Sequence, residues 1–443
     1  MGLKFGTDGV RGLAHSELTI DWVTQLAFAT VRATGVANFV IGIDGRESGK
    51  TFASALAAGF KLAGAKAEYL GIIPTPGIAH IASSFGIGGA VISASHNQAE
   101  YNGVKFFLPD GQKLSDEVQH RIEALLGEGI SLVQVNESFE ISHDADKYFD
   151  SWTDSIRNST AFRDFENMSV VIDCANGAAS YIAPQLFKEI TAKLTVINAE
   201  PNGRNINLNC GSTDMSSLRR VVREINADVG LAFDGDADRV LAIDDKGKII
   251  DGDYLLAIFA NDLSKRSMLN SNTVVATVMA NMGFHEAMKS IGVTTHVTPV
   301  GDRHILQALS ENKWSLGGEQ SGHIIFANDA KTGDGILTGI HLLDCINKSD
   351  MTLHGLSESV MQKYPQVLRS VILRQQIGNQ DSVFDQLQPF ISRAESLLSN
   401  EGRILVRPSG TEPILRIMVE GKTQSTVQTV ADSLFESIEE VLK

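Results

Sequence analysis

Short apolar runs alternate with amphipathic stretches along most of the chain, and this alternation predicts strands separated by helices. The predicted strands are 39–43, 67–73, 90–92, 169–173, 194–198, 228–233, 240–243, 273–278, 294–298 and 314–317. The predicted helices are 21–34, 51–64, 115–126, 146–156, 254–265, 284–290 and 302–311. The stretch Pro74–Gly77 holds two prolines and predicts a rigid turn. Such an order of elements favours an α/β fold with parallel strands.

The alternation restarts twice, and the tail of the chain has a different order of elements. The tail predicts a strand, a helix, two paired strands and a last helix, at 367–373, 381–398, 403–407, 414–419 and 426–442. Pro365 interrupts the helix before it. We therefore predict four domains, at 1–150, 151–250, 251–365 and 366–443. The first three are α/β and similar in layout without an obvious sequence repeat, and the last is a smaller α+β module.

Composition narrows the class of protein. The 443 residues are 43% hydrophobic and carry a net charge of −15, which disfavours nucleic acid as a partner. No apolar run is long enough to span a bilayer, and no signal pattern opens the chain, so we expect a cytoplasmic protein without membrane contact. Cys174, Cys210 and Cys345 lack metal-ligand spacing and argue against disulfides and zinc.

The first candidate site follows the apolar run Ala90–Ile92, where the sequence changes to a polar loop around Ser95. Loops after buried strands are where α/β proteins place chemistry, so the Ser95 hydroxyl is a candidate nucleophile. Lys105 lies just beyond, at the start of another apolar run. A serine-rich turn without function is the alternative. A serine hydrolase is disfavoured, because Ser95 lacks the G-x-S-x-G pattern.

The second candidate is an acidic loop in which Asp234, Asp236 and Asp238 alternate with small residues. In an extended segment these three carboxylates would point the same way and would need a cation to offset their repulsion. Oxygen ligands favour Mg²⁺, Mn²⁺ or Ca²⁺. An EF-hand is excluded because Arg239 and Asp245 occupy its glycine and glutamate positions. A solvated acidic turn is the alternative, and Arg239 could meet an anionic group bound at the ion.

Three further loops combine glycines with polar residues. Residues 5–12 predict a tight turn whose Arg11 could grip a phosphate or carboxylate. Residues 317–323 surround Glu319, Ser321 and His323 with three glycines, a pattern suited to sugar hydroxyls and proton transfer. Residues 407–413 link two strands and offer an arginine, two hydroxyls and loop amides for a phosphate. Ordinary turns, and a structural histidine, are the alternatives.

Taken together and in this order, these loops resemble those of the α-D-phosphohexomutase superfamily, over essentially the whole chain. The resemblance implies three α/β domains with mixed sheets around a central cleft, plus a smaller C-terminal α+β domain. It implies one Mg²⁺ per chain and a catalytic hexose 1,6-bisphosphate as activator. The small-molecule partner would be an amino-sugar phosphate, and the protein would be a monomer or a homodimer.

The resemblance also implies roles for particular residues. Ser95 matches the phosphorylated serine, and the metal ligands would be a phosphoserine oxygen with Asp234, Asp236 and Asp238. Lys105 and His323 match residues of proton transfer, and Arg11 would lie near the reacting phosphate. The sugar and phosphate loops would be formed by Glu319, Ser321, Arg407, Ser409, Gly410 and Thr411.

The implied reaction interconverts glucosamine 6-phosphate and glucosamine 1-phosphate through a phosphoserine enzyme and a 1,6-bisphosphate. The product would feed UDP-N-acetylglucosamine and cell-wall synthesis. Gln320 in the third loop resembles the glucosamine-specific branch, whereas Gln98 stands where the family usually has proline. Two alternatives remain: a phosphomannomutase or phosphoglucomutase, and a non-catalytic paralogue that only binds sugar phosphates.

Overall fold

The structure is a computed structural model that describes residues 3–6, 8–128, 140–159, 165–373, 380–399, 401–408 and 414–442, with backbone alone for 380–384. These residues form two compact units. The first comprises residues 1–279 and 292–360, and the second comprises 280–291 and 361–443. Each unit contains buried apolar clusters of its own.

The first sheet belongs to the N-terminal part of the first unit. Its strands are β1 (Val10–Leu13), β2 (Asn38–Ile43), β3 (Lys66–Ile72), β4 (Gly88–Ile92) and β5 (Tyr101–Phe107). Its helices are α1 (Ile20–Thr34), α2 (Gly49–Leu62), α3 (Thr75–Phe85) and α4 (Asp116–Gly127). The strand order is β1-β5-β4-β2-β3, in which β4, β2 and β3 are parallel, and β5 is antiparallel to both of its neighbours.

The second and third sheets complete the first unit. The second follows helix α5 (Ala145–Ser159) and contains β6 (Ser169–Asp173), α6 (Ala179–Ile190), β7 (Lys193–Ile197), α7 (Ser216–Ile225), β8 (Val229–Phe233), β9 (Val240–Asp244) and β10 (Ile249–Ile250). Helix α8 (Gly252–Lys265) precedes the third sheet, which contains β11 (Thr273–Thr277), β12 (Thr294–Thr298), α10 (Asp302–Asn312), β13 (Leu316–Gly318) and β14 (Ile324–Phe326). Helices α11 (Gly335–Ser349) and α12 (Leu353–Val360) follow.

The three sheets repeat one topology. Their shared strand orders are β3-β2-β4-β5, β7-β6-β8-β9 and β12-β11-β13-β14. In each, three parallel strands are followed by one antiparallel strand that joins the edge of the third. The short connection before that antiparallel strand is therefore equivalent in all three sheets. These three connections carry Ser95, the acidic loop and Glu319–His323, respectively.

The second unit is an α+β module. It contains α9 (Met282–Ser290), β15 (Gln366–Ile372), α13 (Gln380–Leu397), β16 (Gly402–Pro408), β17 (Ile414–Gly421) and α14 (Gln424–Leu442). Both β15 and β16 pair antiparallel with β17. Helix α9 is anchored within this unit, because the buried Glu420 accepts a hydrogen bond from Met282 N at 3.1 Å and pairs with Arg403 at 2.8 Å. The predicted α/β fold with mixed sheets and a smaller α+β tail is confirmed.

Two local expectations were wrong. Pro74–Gly77 does not form a rigid turn alone but opens helix α3, with Pro74 as its N-terminal cap residue. Proline is compatible with the first helical turn, because the amide hydrogens there have no partner within the helix. The glycine-rich stretch 5–12 is likewise more than a turn, since β1 begins at Val10 and pairs with β5.

Helix α1 shows how local chemistry sets the ends of an element. The Thr19 hydroxyl accepts a hydrogen bond from Trp22 N at 3.2 Å, a cap that contributes about 1 kcal/mol. Gly35 ends the helix in the left-handed conformation at φ 73°. Among the described helices, none combines the length and the apolar character needed to cross a bilayer.

Candidate active site

Ser95 lies in the connection between β4 and β5, fully buried and close to the acidic loop. Its hydroxyl donates to Asp234 Oδ2 at 2.6 Å, and its backbone amide donates to Ser93 Oγ at 2.8 Å. The backbone of Ser95 is left-handed, with φ 49°. Few non-glycine residues adopt this conformation, and such strain is concentrated at functional sites. The serine is thus aimed at a carboxylate rather than at solvent.

The three carboxylates of Asp234, Asp236 and Asp238 converge, with one oxygen of each lying within 4.8 Å of the others. All three are buried. The sequence led us to expect convergence through an extended segment. The carboxylates do converge, but the segment is not extended. The loop is a turn in which Ala237 has φ 55° and its carbonyl accepts from Gly335 N at 2.9 Å. A single backbone turn therefore gathers the side chains.

Lys105 is the buried cation that faces this cluster. On β5 it lies opposite Val91, and its Nζ is 2.7 Å from Asp236, 3.2 Å from Asp238 and 2.6 Å from Asp8. Burial alone would lower the pKa of Lys105, but these carboxylates outweigh burial and raise the pKa well above its usual value. The ammonium therefore carries a positive charge in this arrangement.

The carboxylates have distinct electrostatic environments. Burial and the charges of Asp238 and Asp236 raise the pKa of Asp234 well above its usual value. Burial would do the same to Asp238, but Lys105 and His323 hold its pKa well below the usual value. Within the described part of the chain, Oδ1 of Asp236 and Oδ1 of Asp238 have no hydrogen-bond partner. Such oxygens, buried and clustered, have the donor chemistry that suits a hard divalent cation.

Two guanidinium groups lie beside the serine loop. Arg11 pairs with Asp8 at 2.8 Å and donates to Asn97 Oδ1 at 3.4 Å. The backbone amide of Arg239 donates to Asp234 Oδ1 at 3.2 Å, and its Nη1 donates to His96 Nδ1 at 3.1 Å. Both side chains remain partly exposed, at 27% and 19% respectively. They are placed to meet an anion that enters beside Ser95.

The third loop places an acceptor, a hydroxyl and a histidine together. Glu319 accepts from Gly301 N at 3.1 Å, and the Ser321 hydroxyl donates to Glu319 at 3.4 Å. His323 Nε2 accepts from Gly333 N at 3.1 Å, while its Nδ1 faces Asp238 Oδ1 at 3.6 Å. These contacts place the proton of a neutral His323 on Nδ1. Burial would lower the pKa of His323, but Asp238 and Asp302 outweigh it and raise the pKa.

The two glutamines singled out from the sequence both have partners within the protein. The side-chain amide of Gln320 donates to the buried Asp253 at 3.0 Å. The carbonyl of Gln98 accepts from Tyr101 N at 3.2 Å and also from Arg46. A proline at position 98 would offer the same carbonyl, so the departure from the family pattern leaves these contacts intact.

The predicted phosphate loop belongs to the second unit. Arg407 lies on β16, opposite Arg416 of β17. Ser409, Gly410 and Thr411 lie outside the described residues. The structure therefore brings together Ser95, Lys105, Arg11, Arg239, the three aspartates and the third loop, all within the first unit.

Several residues at the site were missed or only noted in passing from the sequence. Asp8 bridges Lys105 and Arg11, and Lys113 contacts Asp8 as well. Thr75 donates through its hydroxyl to Asp236, whose carbonyl also accepts from Thr75 N at 3.0 Å.

Two further residues, Arg46 and Asn207, donate to backbone carbonyls of the serine loop. The polar stretch after β2 was the available signal for Arg46, because β2 lies beside β4 in the sheet.

Family models match the chain in four segments. They are described as phosphoglucomutase/phosphomannomutase alpha/beta/alpha domain I at residues 2–131, domain II at 146–247, domain III at 251–364 and the C-terminal domain at 372–437. The chain therefore belongs to the phosphoglucomutase/phosphomannomutase family. The resemblance to phosphohexomutases is thus confirmed, as is the expectation of an enzyme of the isomerase class.

Within this family, similar curated proteins include phosphoglucosamine mutases. The one from Thermoanaerobacter sp. (strain X514) is 44% identical over 450 residues, which cover 100% of both chains. The one from Clostridioides difficile (strain 630) is 41% identical over 448 residues, which cover 99% of both chains. Similarity at this level, over the whole length, extends beyond the shared fold.

Solved structures show the same fold at lower identity. A phosphoglucomutase/phosphomannomutase family protein from Burkholderia thailandensis has a TM-score of 0.80 at 23% identity, covering 100% of this chain and 98% of that one. An N-acetylphosphoglucosamine mutase from Aspergillus fumigatus, solved in complex with GlcNAc-6P and magnesium, has a TM-score of 0.71 at 17% identity and covers 100% and 96%.

Proposed function

We propose that this protein interconverts glucosamine 6-phosphate and glucosamine 1-phosphate, with Ser95 carrying the phosphoryl group between half-reactions. The observation that carries the proposal is the buried Ser95 hydroxyl, 2.6 Å from Asp234 in a cluster of carboxylates and cations. The names of the whole-chain relatives support the choice of amino sugar.

The proposed chemistry consists of two phosphoryl transfers. In the first, the bond from Ser95 Oγ to phosphorus breaks, a bond from a sugar hydroxyl to phosphorus forms, and the hydroxyl proton leaves. The resulting 1,6-bisphosphate turns round and returns its other phosphoryl group to Ser95. The freed sugar oxygen then takes up a proton. Such transfers depend on positioning and on offsetting charge more than on covalent activation.

The residues around Ser95 supply positive charge for these steps. Lys105, Arg11 and Arg239 lie on separate segments and face the same group of carboxylates. Charges held in place before the reaction stabilise a phosphoryl transition state without reorganisation. We assign Arg11 and Arg239 to the entering phosphate, because their side chains are partly exposed.

We further propose that Asp234, Asp236 and Asp238 hold one Mg²⁺ together with an oxygen of phosphorylated Ser95. Their convergence and the Oδ1 atoms of Asp236 and Asp238 support this assignment. When bound, the ion supplies positive charge against the phosphoryl oxygens. Thr75 and Lys105 orient the Asp236 carboxylate, since both donate to its Oδ2.

Two residues are placed to take the sugar proton, Lys105 and His323. Proton acceptance by Lys105 requires that its carboxylate contacts weaken, and acceptance by His323 Nε2 requires that its hydrogen bond from Gly333 break. The pH profiles of Lys105→Arg and His323→Gln distinguish the two. The variant that removes the base loses the ascending limb of the kcat profile.

The direct test is an assay of purified protein with glucosamine, glucose and mannose 6-phosphates, Mg²⁺ and a catalytic amount of hexose 1,6-bisphosphate. We expect kcat/KM for glucosamine 6-phosphate to exceed the others by about tenfold or more. An equal or higher value for mannose 6-phosphate would instead identify a phosphomannomutase. Binding of all three without turnover would identify a non-catalytic sugar-phosphate-binding protein.

A further inference from the structure

The backbone of Ser95 needs an external restraint. Its left-handed φ of 49° is unusual for a residue with a side chain, and it turns the hydroxyl toward Asp234. Residues in this conformation persist when the surrounding structure holds them there. The carbonyls of Ser95 and Asn97, both in the turn from Ala94 to Asn97, accept the hydrogen bonds that do so.

Arg46 provides the first part of the restraint. Its side chain is fully buried, and its guanidinium donates five hydrogen bonds. Nε donates to Asp44 at 2.8 Å, and Nη2 donates to the carbonyls of Ser95 at 3.0 Å and Asn97 at 2.7 Å. Nη1 donates to the carbonyls of Tyr101, at 2.9 Å, and Gln98. One planar group thus grips four carbonyls of the connection.

Asn207 provides the second part, from the segment between β7 and β8. Its Nδ2 donates to the carbonyls of Ser95 and Asn97, each at 2.8 Å. The two carbonyls identify this end of the side chain as the NH₂ group. Asn207 is itself fixed, because its backbone amide donates to Ala175 O at 3.0 Å. A segment between β7 and β8 of the second sheet therefore helps to hold the nucleophile that follows β4 in the first sheet.

We propose that Arg46 and Asn207 are positioning residues for Ser95, and this proposal rests on the function proposed above. Both grip the same two carbonyls, and neither donates to the Ser95 hydroxyl. Asp44 balances the charge of Arg46 at 2.8 Å, so the guanidinium acts through its geometry rather than through a field on the phosphate. Lysine cannot replace it, because an ammonium lacks the planar array of five donors.

The expected signature separates positioning from sugar binding. When the donors are lost, the buried carbonyls lack partners and the turn relaxes, so that Ser95 Oγ leaves its line of attack. A misplacement on the order of 1 Å reduces turnover by about 100-fold. The KM for the sugar phosphate should change by less than about threefold, since the clamp formed by Arg46 and Asn207 contacts no group assigned to the sugar.

The test compares Asn207→Asp and Arg46→Lys with control variants at two neighbouring residues, Asn205→Asp at a half-buried position and Arg204→Lys at an exposed one. Arg204 pairs with the exposed Glu47, and the Asn205 side chain donates to Glu200 O at 3.0 Å. Aspartate tolerates the left-handed backbone of Asn207, at φ 56°, and it removes the NH₂ donors by setting a carboxylate against the same two carbonyls. Thermal unfolding verifies folding of each variant.

Steady-state kinetics and the single-turnover rate of Ser95 phosphorylation by glucose 1,6-bisphosphate are measured for all five proteins. We expect both clamp variants to lose about 100-fold in kcat and in phosphorylation rate, with KM and both controls near wild type. Folded Asn207→Asp with kcat within threefold of wild type overturns the proposal, as does a raised KM at unchanged kcat. A wild-type protein that neither turns over nor accepts phosphate would contradict the proposed function instead.

Discussion

The Ser95 connection and the acidic loop occupy equivalent places in two sheets of the same topology, yet they are held in different ways. The backbone carbonyls of the Ser95 connection accept hydrogen bonds from two side chains. These are Arg46, whose charge Asp44 balances, and the neutral Asn207. The acidic loop is held through its carboxylates, by Lys105 and Thr75, while its own carbonyls accept from backbone amides such as those of Thr75 and Gly335. In both, one residue adopts a left-handed backbone, at Ser95 and at Ala237.

The difference follows from what each loop has to do. A phosphate carrier needs its hydroxyl held in one position, and restraint through the backbone provides this while the oxygen itself gains and loses a phosphoryl group. A cation site needs several carboxylates brought close together, which a counter-charge permits before the ion arrives. The same connection of the repeated topology can thus serve two chemistries in two sheets. Variants of each loop separate the two kinds of restraint.

Removal of the carrier has the largest expected effect. Ser95→Ala should reduce turnover by at least about 10³-fold, because the proposed mechanism needs this hydroxyl to carry the phosphoryl group between half-reactions. Ser84→Ala on α3, an exposed serine of the same sheet, is the control and should match wild type. Intact-mass spectrometry with peptide mapping should find one phosphate on Ser95 in wild type. A phosphate mapped elsewhere, with Ser95→Ala fully active, contradicts the assignment.

A change in the acidic loop should come next in size. Asp236→Asn removes one charged ligand and should lower turnover and Mg²⁺ affinity by about 100-fold, with the fold retained. Titration calorimetry with Mg²⁺ and activity at increasing Mg²⁺ measure both quantities. Asp262→Asn, in a surface pair with Arg266 at 3.0 Å, serves as the control. Full wild-type activity after exhaustive chelation would refute the metal role.

The third connection should govern substrate preference, with a smaller effect. Gln320→Met removes the hydrogen bond to the buried Asp253 and should reduce the ratio of kcat/KM for glucosamine over glucose 6-phosphate by about tenfold. Gln307→Met, at an exposed position of α10, is the control. An unchanged ratio in Gln320→Met would assign the preference to other residues.

The smallest effect concerns stability and pH at Asp334, the N-terminal cap residue of α11. Burial raises the pKa of Asp334 to about 6, although Leu337 N and Trp152 Nε1 donate to it. Between about pH 4 and 6 the folded state therefore holds a proton on Asp334 that the unfolded state has released. The protonated carboxyl stabilises the folded state at low pH, and this stabilisation is lost as pH rises through 6. Asp334→Asn cannot lose a proton and removes this dependence.

Thermal unfolding of wild type and Asp334→Asn from pH 4 to 8 measures the difference. Asparagine replaces one acceptor oxygen by a donor, so we expect the variant to lose a pH-independent amount of stability. Only the change of the stability difference with pH reports on the pKa of Asp334. The variant should gain on wild type with rising pH, by on the order of 2 kcal/mol in the free energy of unfolding. A difference that stays constant with pH would show that Asp334 keeps an ordinary pKa.

The sequence predicted the class of fold and the loops of the site, because both depend on local patterns. Strands were recognisable as bounded apolar runs, and Ser95 and Asp234–Asp238 follow such runs directly. Helix α3 was missed because Pro74 and Pro76 are typical of turns as well as of helix starts. Helix α11 was not predicted either, whereas the helix before Pro365 was predicted without bounds and is α12.

The supporting residues were beyond reach for a different reason. The restraint of Ser95 by Asn207 joins positions 112 residues apart, through backbone carbonyls that leave no trace in composition. The convergence of the aspartates was expected on the wrong ground, since it comes from a left-handed turn at Ala237 rather than from an extended strand. Long-range hydrogen bonds to the backbone depend on the folded path of the chain.

The central claim is that Ser95 passes its phosphoryl group to an amino-sugar phosphate, and a chase experiment tests it most directly. Protein carrying radiolabelled phosphate on Ser95 is mixed with excess unlabelled glucosamine 6-phosphate and quenched over the time of one turnover. The account predicts that the label leaves Ser95 and appears first in glucosamine 1,6-bisphosphate. Label that remains on Ser95 while glucosamine 1-phosphate forms at the full rate would contradict it.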